Sequence, residues 1–207
     1  GMGSDGKTMS QRVSTYVYDE RGRGVLSVLG EPARLQMQEG RANEPQEPKR
    51  LVAGTGVEQV HVEYVEPALH GKMGKTVITN ALGQETIYRG QIVGGEYRLM
   101  EVVGAGCAQC GPANMRYRYD AQGKQTEVIE LTATQVINGK AQGEAVRLRG
   151  QRTSYDGQGR VSRVESMSYQ GGKAQAPVVL ARYEYTDSTN QHTHSQPTLI
   201  ARPSVIP

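Results

Sequence analysis

A short segment recurs along the chain and predicts its organisation. Residues 16–23 read YVYDERGR, residues 117–124 read YRYDAQGK and residues 154–161 read SYDGQGRV. Aligned on the acid, each copy contains Tyr-Asp, two variable residues, Gly, and then Arg or Lys. Residues 80–84, NALGQ, are a degenerate copy with Asn in place of Asp, and residues 183–187 begin like a fifth copy that lacks the glycine. The intervals are irregular, so this is a loose repeat.

Each copy has the residues of a β-hairpin. Tyr at alternate positions points to one face of a strand and packs against cross-strand neighbours. The Asp ends the strand and can accept hydrogen bonds from backbone N–H groups two residues on, while the Gly takes the positive φ that closes a short turn. We therefore predict a strand, a tight turn and a return strand at each copy. The residues assigned to this role are Tyr16, Tyr18, Asp19, Gly22, Asn80, Gly83, Tyr117, Tyr119, Asp120, Gly123, Tyr155, Asp156 and Gly159.

The rest of the chain also has the pattern of β-strands. Apolar and polar residues alternate in residues 57–65, 115–119, 146–149 and 178–185, and no segment of helical length carries an apolar stripe with helical spacing. There are 11 Tyr but no Phe or Trp, so every aromatic ring carries a hydroxyl that suits a thin layer between pleated surfaces. We expect an all-β, mainly antiparallel fold in which successive hairpins form a twisted, partly open sheet.

The domain organisation is expected to be simple. Residues 12–187 should form one β domain, because its first hairpin region alone is too small to bury a core. Within it, residues 39–50 are polar, contain two prolines and are predicted to form a surface loop. Residues 1–11 are interpreted as a tag or a disordered N-terminus, and residues 188–207 as a loop followed by a C-terminal strand or tail. The chain is expected to be a segment of a longer protein.

Charge and hydropathy argue against two classes of partner. The 24 basic and 21 acidic residues give a net charge of +3, too small a field to attract a polyanion, so no nucleic-acid binding is expected. The longest apolar run, residues 178–181, is far too short to cross a bilayer, so no membrane insertion is expected. The first residues lack the apolar stretch of a signal peptide.

Few residues suggest catalysis or metal binding. Cys107 and Cys110 form a single CxxC in a glycine-rich segment, typical of a local disulfide or of two unpaired thiols rather than of a zinc site. His192 and His194 could share one strand face, but they have no third ligand nearby and are expected to be exposed and unliganded. No nucleotide-binding, hydrolase or metalloprotease motif is present. We therefore expect no cofactor, no metal and no enzymatic activity.

A cluster of arginines has two interpretations. It could bind phosphate, sulfate or an acidic glycan, or it could be a solvated strand face that discourages edge-to-edge aggregation. The intervening Glu144, Asp156 and Glu165 partly neutralise the cluster and favour the solvated face. The arginines considered as a ligand face are Arg147, Arg149, Arg152 and Arg160, with Arg163 beside them.

The recurring units resemble the YD repeats of the RHS family of large bacterial surface or secreted proteins. Residues 97–112 and 79–84 also resemble sequence between repeats of that family, and the likeness extends over residues 12–187. The resemblance implies a long β-sheet strip that coils into a hollow shell, which in secreted members encloses a C-terminal toxin. Some members are linked with type VI secretion, and related repeats have been associated with carbohydrate binding. This chain is too short to close a shell and lacks the Asp-Pro-x-Gly segment that precedes the toxin, so self-cleavage is not carried over.

On this resemblance we expect a non-catalytic structural or interaction module. It would form part of the β shell or scaffold of a larger secreted or cell-surface protein, which could be a polymorphic toxin. Its partners would be adjacent repeats of the same polypeptide, or further copies that associate through sheet edges, with a carbohydrate or a carried effector as additional candidates. The alternative is a carbohydrate-binding β module that uses the Tyr pairs and the arginine strand.

Overall fold

A computed structural model describes residues 13–30, 35–37, 48–51, 57–106, 111–185 and 197–201. The expected all-β, mainly antiparallel fold is confirmed, since these residues form strands and turns with no helix among them. No helix in the described ranges could span a membrane. The strands are β1 (Val13–Tyr18), β2 (Gly24–Gly30), β3 (Leu35–Met37), β4 (Pro48–Leu51), β5 (Val57–Glu66), β6 (Gly74–Thr79), β7 (Glu85–Val93), β8 (Glu96–Gly104), β9 (Met115–Tyr119), β10 (Gln125–Leu131), β11 (Val136–Ile137), β12 (Lys140–Ala141), β13 (Arg147–Tyr155), β14 (Val161–Gln170), β15 (Lys173–Ala174), β16 (Val178–Tyr185) and β17 (Pro197–Ala201).

Twelve of the strands form one open sheet. Its spatial order is β1-β2-β5-β6-β7-β8-β9-β10-β13-β14-β16-β17, the order of the chain itself, and β15 pairs with β14 beside this path. Every neighbouring pair on the path is antiparallel. The sheet is thus a meander, whose connections fall alternately at its two ends.

The two ends of the sheet differ in their connections. One end, called the turn end, carries residues 19–23, 67–73, 94–95, 120–124 and 156–160. The other, called the insertion end, carries residues 80–84 and the connections that contain two additional strand pairs, β3–β4 and β11–β12. Residues 48–50 were expected within a polar loop, but they lie in β4. Arg50 and Leu51 of this strand pair with Gln36 and Leu35 of β3.

One face of the sheet carries the main apolar core. Val77 pairs with Ile87 and Ile87 with Val103, so the three side chains line one face of adjacent strands. Val136 of β11 packs against this row, and the N–H of Gly139 donates to Glu85 Oε2 at 2.7 Å. The β11–β12 pair therefore covers the core face. The buried apolar residues of this cluster are Val77, Ile87, Val103, Ile129, Leu131, Val136 and Met167.

A row of ion pairs continues the same face. Glu127 lies two residues before Ile129 on β10 and therefore points to the same side as the core. Its carboxylate lies 3.0 Å from Arg152 and 3.3 Å from Arg118 on the two flanking strands. The mostly buried Glu101 repeats this arrangement with Arg89 and Arg116 on its two flanking strands, while the pair Arg163–Glu165 lies within β14. Charged residues thus cross-link adjacent strands beside the core.

Candidate functional site

Four turns share one set of hydrogen bonds, and they begin at Asp19, Asn80, Asp120 and Asp156. In each, the N–H of the first residue donates to the carbonyl of the fifth, and the glycine N–H donates to the carbonyl of the first, at 2.8–3.0 Å. A side-chain oxygen of the first residue accepts from the N–H groups of the third and fifth residues at 2.8–3.0 Å. The glycines Gly22, Gly83, Gly123 and Gly159 have φ between 72° and 83°.

In three of the four turns the fifth residue is basic and has a further role. Arg23 returns to its own turn and donates to Asp19 Oδ2 at 2.7 Å, and Arg160 does the same to Asp156 at 2.8 Å. The arginine backbone N–H and then its guanidinium lower the pKa of Asp19 and of Asp156 below the ordinary value. Lys124 differs, because its Nζ donates to the carbonyl of Gly159 in the neighbouring turn at 3.0 Å.

The same basic residues stack on a tyrosine of the next strand in the sheet. Arg23 lies 4.2 Å from the ring centre of Tyr64, and Arg160 lies 4.1 Å from that of Tyr185. The tyrosine hydroxyl then donates to the carbonyl of the residue that follows the base. We call this unit of base, following residue and tyrosine a tyrosine clip. The four clips are Arg23-Gly24 with Tyr64, Arg98-Leu99 with Tyr119, Lys124-Gln125 with Tyr155, and Arg160-Val161 with Tyr185.

The clips all lie at the turn end and follow one rule of direction. The base stands at the start of a strand that leaves the turn end, and the tyrosine stands near the end of the next strand that returns to it. The hydroxyl–carbonyl distances are 3.1, 2.9, 2.8 and 2.8 Å in chain order. Each clip therefore joins one hairpin to the next at the turn end. The chain segment that connects the same two strands lies at the insertion end.

The sequence repeat predicts only part of this site. It includes Tyr119 and Tyr155, and the structure places both in clips. It does not include Tyr64 or Arg98, and it includes Tyr185 only in a degenerate copy. The sequence signal for these residues is a tyrosine near the end of one strand and a basic residue near the start of the strand that precedes it in the sheet. The other assigned tyrosines differ, since Tyr16 and Tyr18 on β1 are exposed and Tyr117 is half-buried.

Tyr97 of β8 lies outside the clips and packs on a glycine of the neighbouring strand β7. Tyr97 lies directly over Gly90, where a Cβ atom would fall 2.2 Å from its ring. Burial raises the pKa of the Tyr97 phenol, yet 54% of the residue remains exposed. A cleft of about 340 Å³ runs beside it, lined among others by Tyr64, Glu66 and Ile92. This cleft offers the exposed ring of Tyr97 with polar groups at its margin.

The four arginines considered as a ligand face are engaged within the protein. Arg149 and Arg152 lie three residues apart on β13 and so point to opposite faces. Their partners are Glu130 at 2.6 Å and Glu127 at 3.0 Å, while Arg147 donates to the carbonyl of Gly172 at 2.9 Å and stacks on Tyr169. With Arg160 held by Asp156, the four do not form one surface with uncommitted guanidinium groups.

The remaining candidates fall mostly beyond the described ranges. Cys107 and Cys110, the expected disulfide candidates, and the pair His192 and His194 lie outside the residues that the structure describes. Among the described residues, no three His, Cys, Asp or Glu side chains are grouped to hold a metal ion.

Comparisons with known proteins add no relative to this description. A scan against protein-family models found no match, and a search of curated proteins found none either.

Proposed function

We propose that this chain is a non-catalytic structural and interaction module, a section of the β wall of a larger secreted or cell-surface protein of the RHS/YD-repeat type. The observation that supports this best is the recurrence of the tyrosine clip at four places along one sheet. A repeat unit that cannot bury its faces alone gains stability from contacts with its neighbours. The clips supply such contacts at four places along the turn end.

The use of the charged residues supports the same role. Glu101 and Glu127 each bridge arginines on adjacent strands, and Arg23 bonds Asp19 while it covers Tyr64. A catalytic site keeps acid, base and nucleophile available to a substrate, whereas these groups are saturated by one another. The arrangement favours a wall that holds its shape over a site that turns over a substrate.

The native form of the polypeptide tests this proposal. An antibody raised against residues 57–185 is used to probe cytosolic, surface and secreted fractions of the source cells by immunoblot. We expect a polypeptide much heavier than the 22.5 kDa of this chain, in the surface or secreted fraction. A cytosolic band at the mass of this chain alone would overturn the proposal.

A carbohydrate-binding role is the second candidate, and Tyr97 is the observation that favours it. Its ring lies over Gly90, the residue is 54% exposed, and it lines the 340 Å³ cleft. The apolar face of a sugar ring can pack on such a surface while its hydroxyls bond the polar groups at the margin. Glu66 and Arg23 line the cleft and supply an acceptor and donors.

A glycan array followed by titration calorimetry tests this second role. Binding of a glycan should weaken by about tenfold in Tyr97→Ala, which removes the exposed ring. Tyr183→Ala is the matched control, because Tyr183 does not line the cleft. Absence of binding above background, or equal weakening in both variants, would eliminate this role.

A further inference from the structure

The turn that begins at Asp120 differs from the two other turns that begin with an aspartate. In the turns of Asp19 and Asp156, the second carboxylate oxygen, Oδ2, accepts a hydrogen bond from the arginine that ends the turn. Nε and a terminal nitrogen of Arg23 both lie 2.7 Å from Asp19 Oδ2. The Asp120 turn ends instead with Lys124, whose ammonium donates to a carbonyl of the neighbouring turn. This turn therefore lacks the guanidinium that the other two contain.

Asp120 keeps one carboxylate oxygen without a partner. Its Oδ1 accepts from the N–H groups of Gln122 and Lys124 at 3.0 and 2.9 Å, as in the other turns. Among the described residues, no group donates to its Oδ2 and no base forms an ion pair with it. Arg98, which lies beside this turn, is paired with Glu96 at 2.8 Å. The Asp120 Oδ2 atom can therefore accept hydrogen bonds from a group outside the chain.

A cleft of about 600 Å³ lies beside this carboxylate. It is lined by residues of the Asp120 turn and of the Asp156 turn, which are adjacent at the turn end. Gln122 and Gln158, the third residues of the two turns, line it and are exposed. Gly157 also lines it, and a Cβ atom there would meet no atom within 4 Å. The cleft is therefore open to a side chain that enters from outside.

The other carboxylates of the cleft are already paired. Glu127 contacts arginines of the two flanking strands, and Asp156 accepts from Arg160. Asp120 is thus the carboxylate of the described lining that a further cation can reach. A guanidinium suits it better than an ammonium, because its planar group directs two N–H donors at a carboxylate. Two turns of this same chain show that a carboxylate held in this turn accepts such a group.

We propose that the cleft between the turns of Asp120 and Asp156 binds the side chain of an arginine in a partner polypeptide, whose guanidinium donates to Asp120 Oδ2. The bound group takes the place on this turn that Arg23 takes on Asp19. The clip of Lys124 is kept, because its ammonium stays on the carbonyl of the neighbouring turn. The cleft lies between two hairpins inside the sheet, away from both of its edges. This inference goes beyond the proposed place of the chain in a wall, since it assigns that wall a binding site.

Heteronuclear NMR of the full chain, titrated with a glycyl-arginyl-glycine tripeptide that has blocked ends, tests the proposal. We expect saturable shifts of the N–H signals of Gln122 and Lys124, which both donate to Asp120. Asp120→Asn keeps the turn, as Asn80 does in its own, and should weaken the affinity about fivefold because it removes the charge. Lys124→Arg should weaken it similarly, since the arginines at this position in two other turns bond the acid of their own turn.

Asp19→Asn is the matched control, because it changes the same position of a turn that does not line the cleft, and it should leave the affinity unchanged. Tripeptides with citrulline or lysine in place of arginine should bind more weakly, since a urea lacks the charge and an ammonium lacks the planar pair of donors. Absence of saturable shifts, equal binding of either substituted peptide, or an affinity that survives Asp120→Asn or Lys124→Arg would overturn the proposal. Circular dichroism of each variant checks that the sheet is intact. The immunoblot described above tests the proposed function independently, so failure of one does not imply failure of the other.

Discussion

The Lys124 ammonium donates a hydrogen bond to the carbonyl oxygen of Gly159, 3.0 Å away in the next turn of the turn end. In the turns that begin at Asp19 and Asp156 the arginine instead bonds the acid of its own turn. Lys124 also lies 5.3 Å from the ring centre of Tyr155. One lysine thus joins two adjacent turns through a carbonyl and a ring together.

Replacing this lysine should weaken the sheet. Lys124→Met keeps most of the aliphatic side chain but removes the ammonium, and we expect a loss of about 1 kcal/mol in the free energy of unfolding. Urea denaturation followed by circular dichroism measures it. Lys173→Met, at an exposed position on β15, is the control and should change stability little. Equal effects in the two variants would contradict the role given to Lys124.

The turn acid should tolerate Asn but not Ala. Asp156 Oδ1 accepts from the N–H groups of Gln158 and Arg160 at 3.0 and 2.8 Å. Asp156→Ala leaves both without that acceptor and should lower the urea midpoint of unfolding. Asp156→Asn should lose much less, because Asn80 makes the same two bonds in its own turn. Chemical denaturation compares them, and an Asn variant as unstable as the Ala variant would refute this account.

Acid should destabilise the turns in a defined direction. The pKa of Asp19 and of Asp156 is lowered from 3.8 in the folded chain, mainly by the N–H of Arg23 and of Arg160. Their contribution is therefore complete above the unfolded value and is lost as pH falls through the lower folded value. The double variant Asp19→Asn/Asp156→Asn should show a shallower decline in urea midpoint between about pH 5 and about pH 2. An unchanged decline would assign acid sensitivity to other carboxylates.

The ion pairs beside the core should matter more than those on the surface. The Glu127 side chain is only 14% exposed and contacts Arg118 and Arg152, whereas Glu130 is 39% exposed and contacts Arg149. Glu127→Ala should cost about 2–3 kcal/mol because it leaves two arginines without their acceptor. Glu130→Ala should cost less than about 1 kcal/mol. Thermal and urea unfolding measure both, and the reverse order would contradict the argument from burial.

Two glycines of the same hairpin should respond oppositely to alanine. A Cβ at Gly150 would lie 2.4 Å from the Val128 carbonyl oxygen, so Gly150→Ala forces adjacent strands apart and should cost about 2 kcal/mol or more. At Gly157 a Cβ meets no atom within 4 Å, and Gly157→Ala should be neutral or slightly stabilising. Calorimetric melting temperatures test the pair. A tolerated Gly150→Ala would show that these strands lie less close than described.

The turns could be predicted from sequence because their bonds lie within five consecutive residues, as from Asp156 to Arg160. The clips could not, because Tyr64 and its acceptor Gly24 are 40 residues apart, with β3 and β4 between them. The local pattern also predicts strands without predicting what covers them. Val136, in a strand of two residues, has no alternation around it, yet it packs on the main core.

The separation of clips and insertions onto opposite ends of the sheet has a consequence for how such a chain can change. Added residues in the β2–β5 or β10–β13 connection leave the spacing between successive bases and tyrosines intact. Segments of varied length are then displayed in a row at the insertion end, while the turn end keeps its clips. The length of the insertions can therefore vary at one end of the sheet without a change in the clips at the other end.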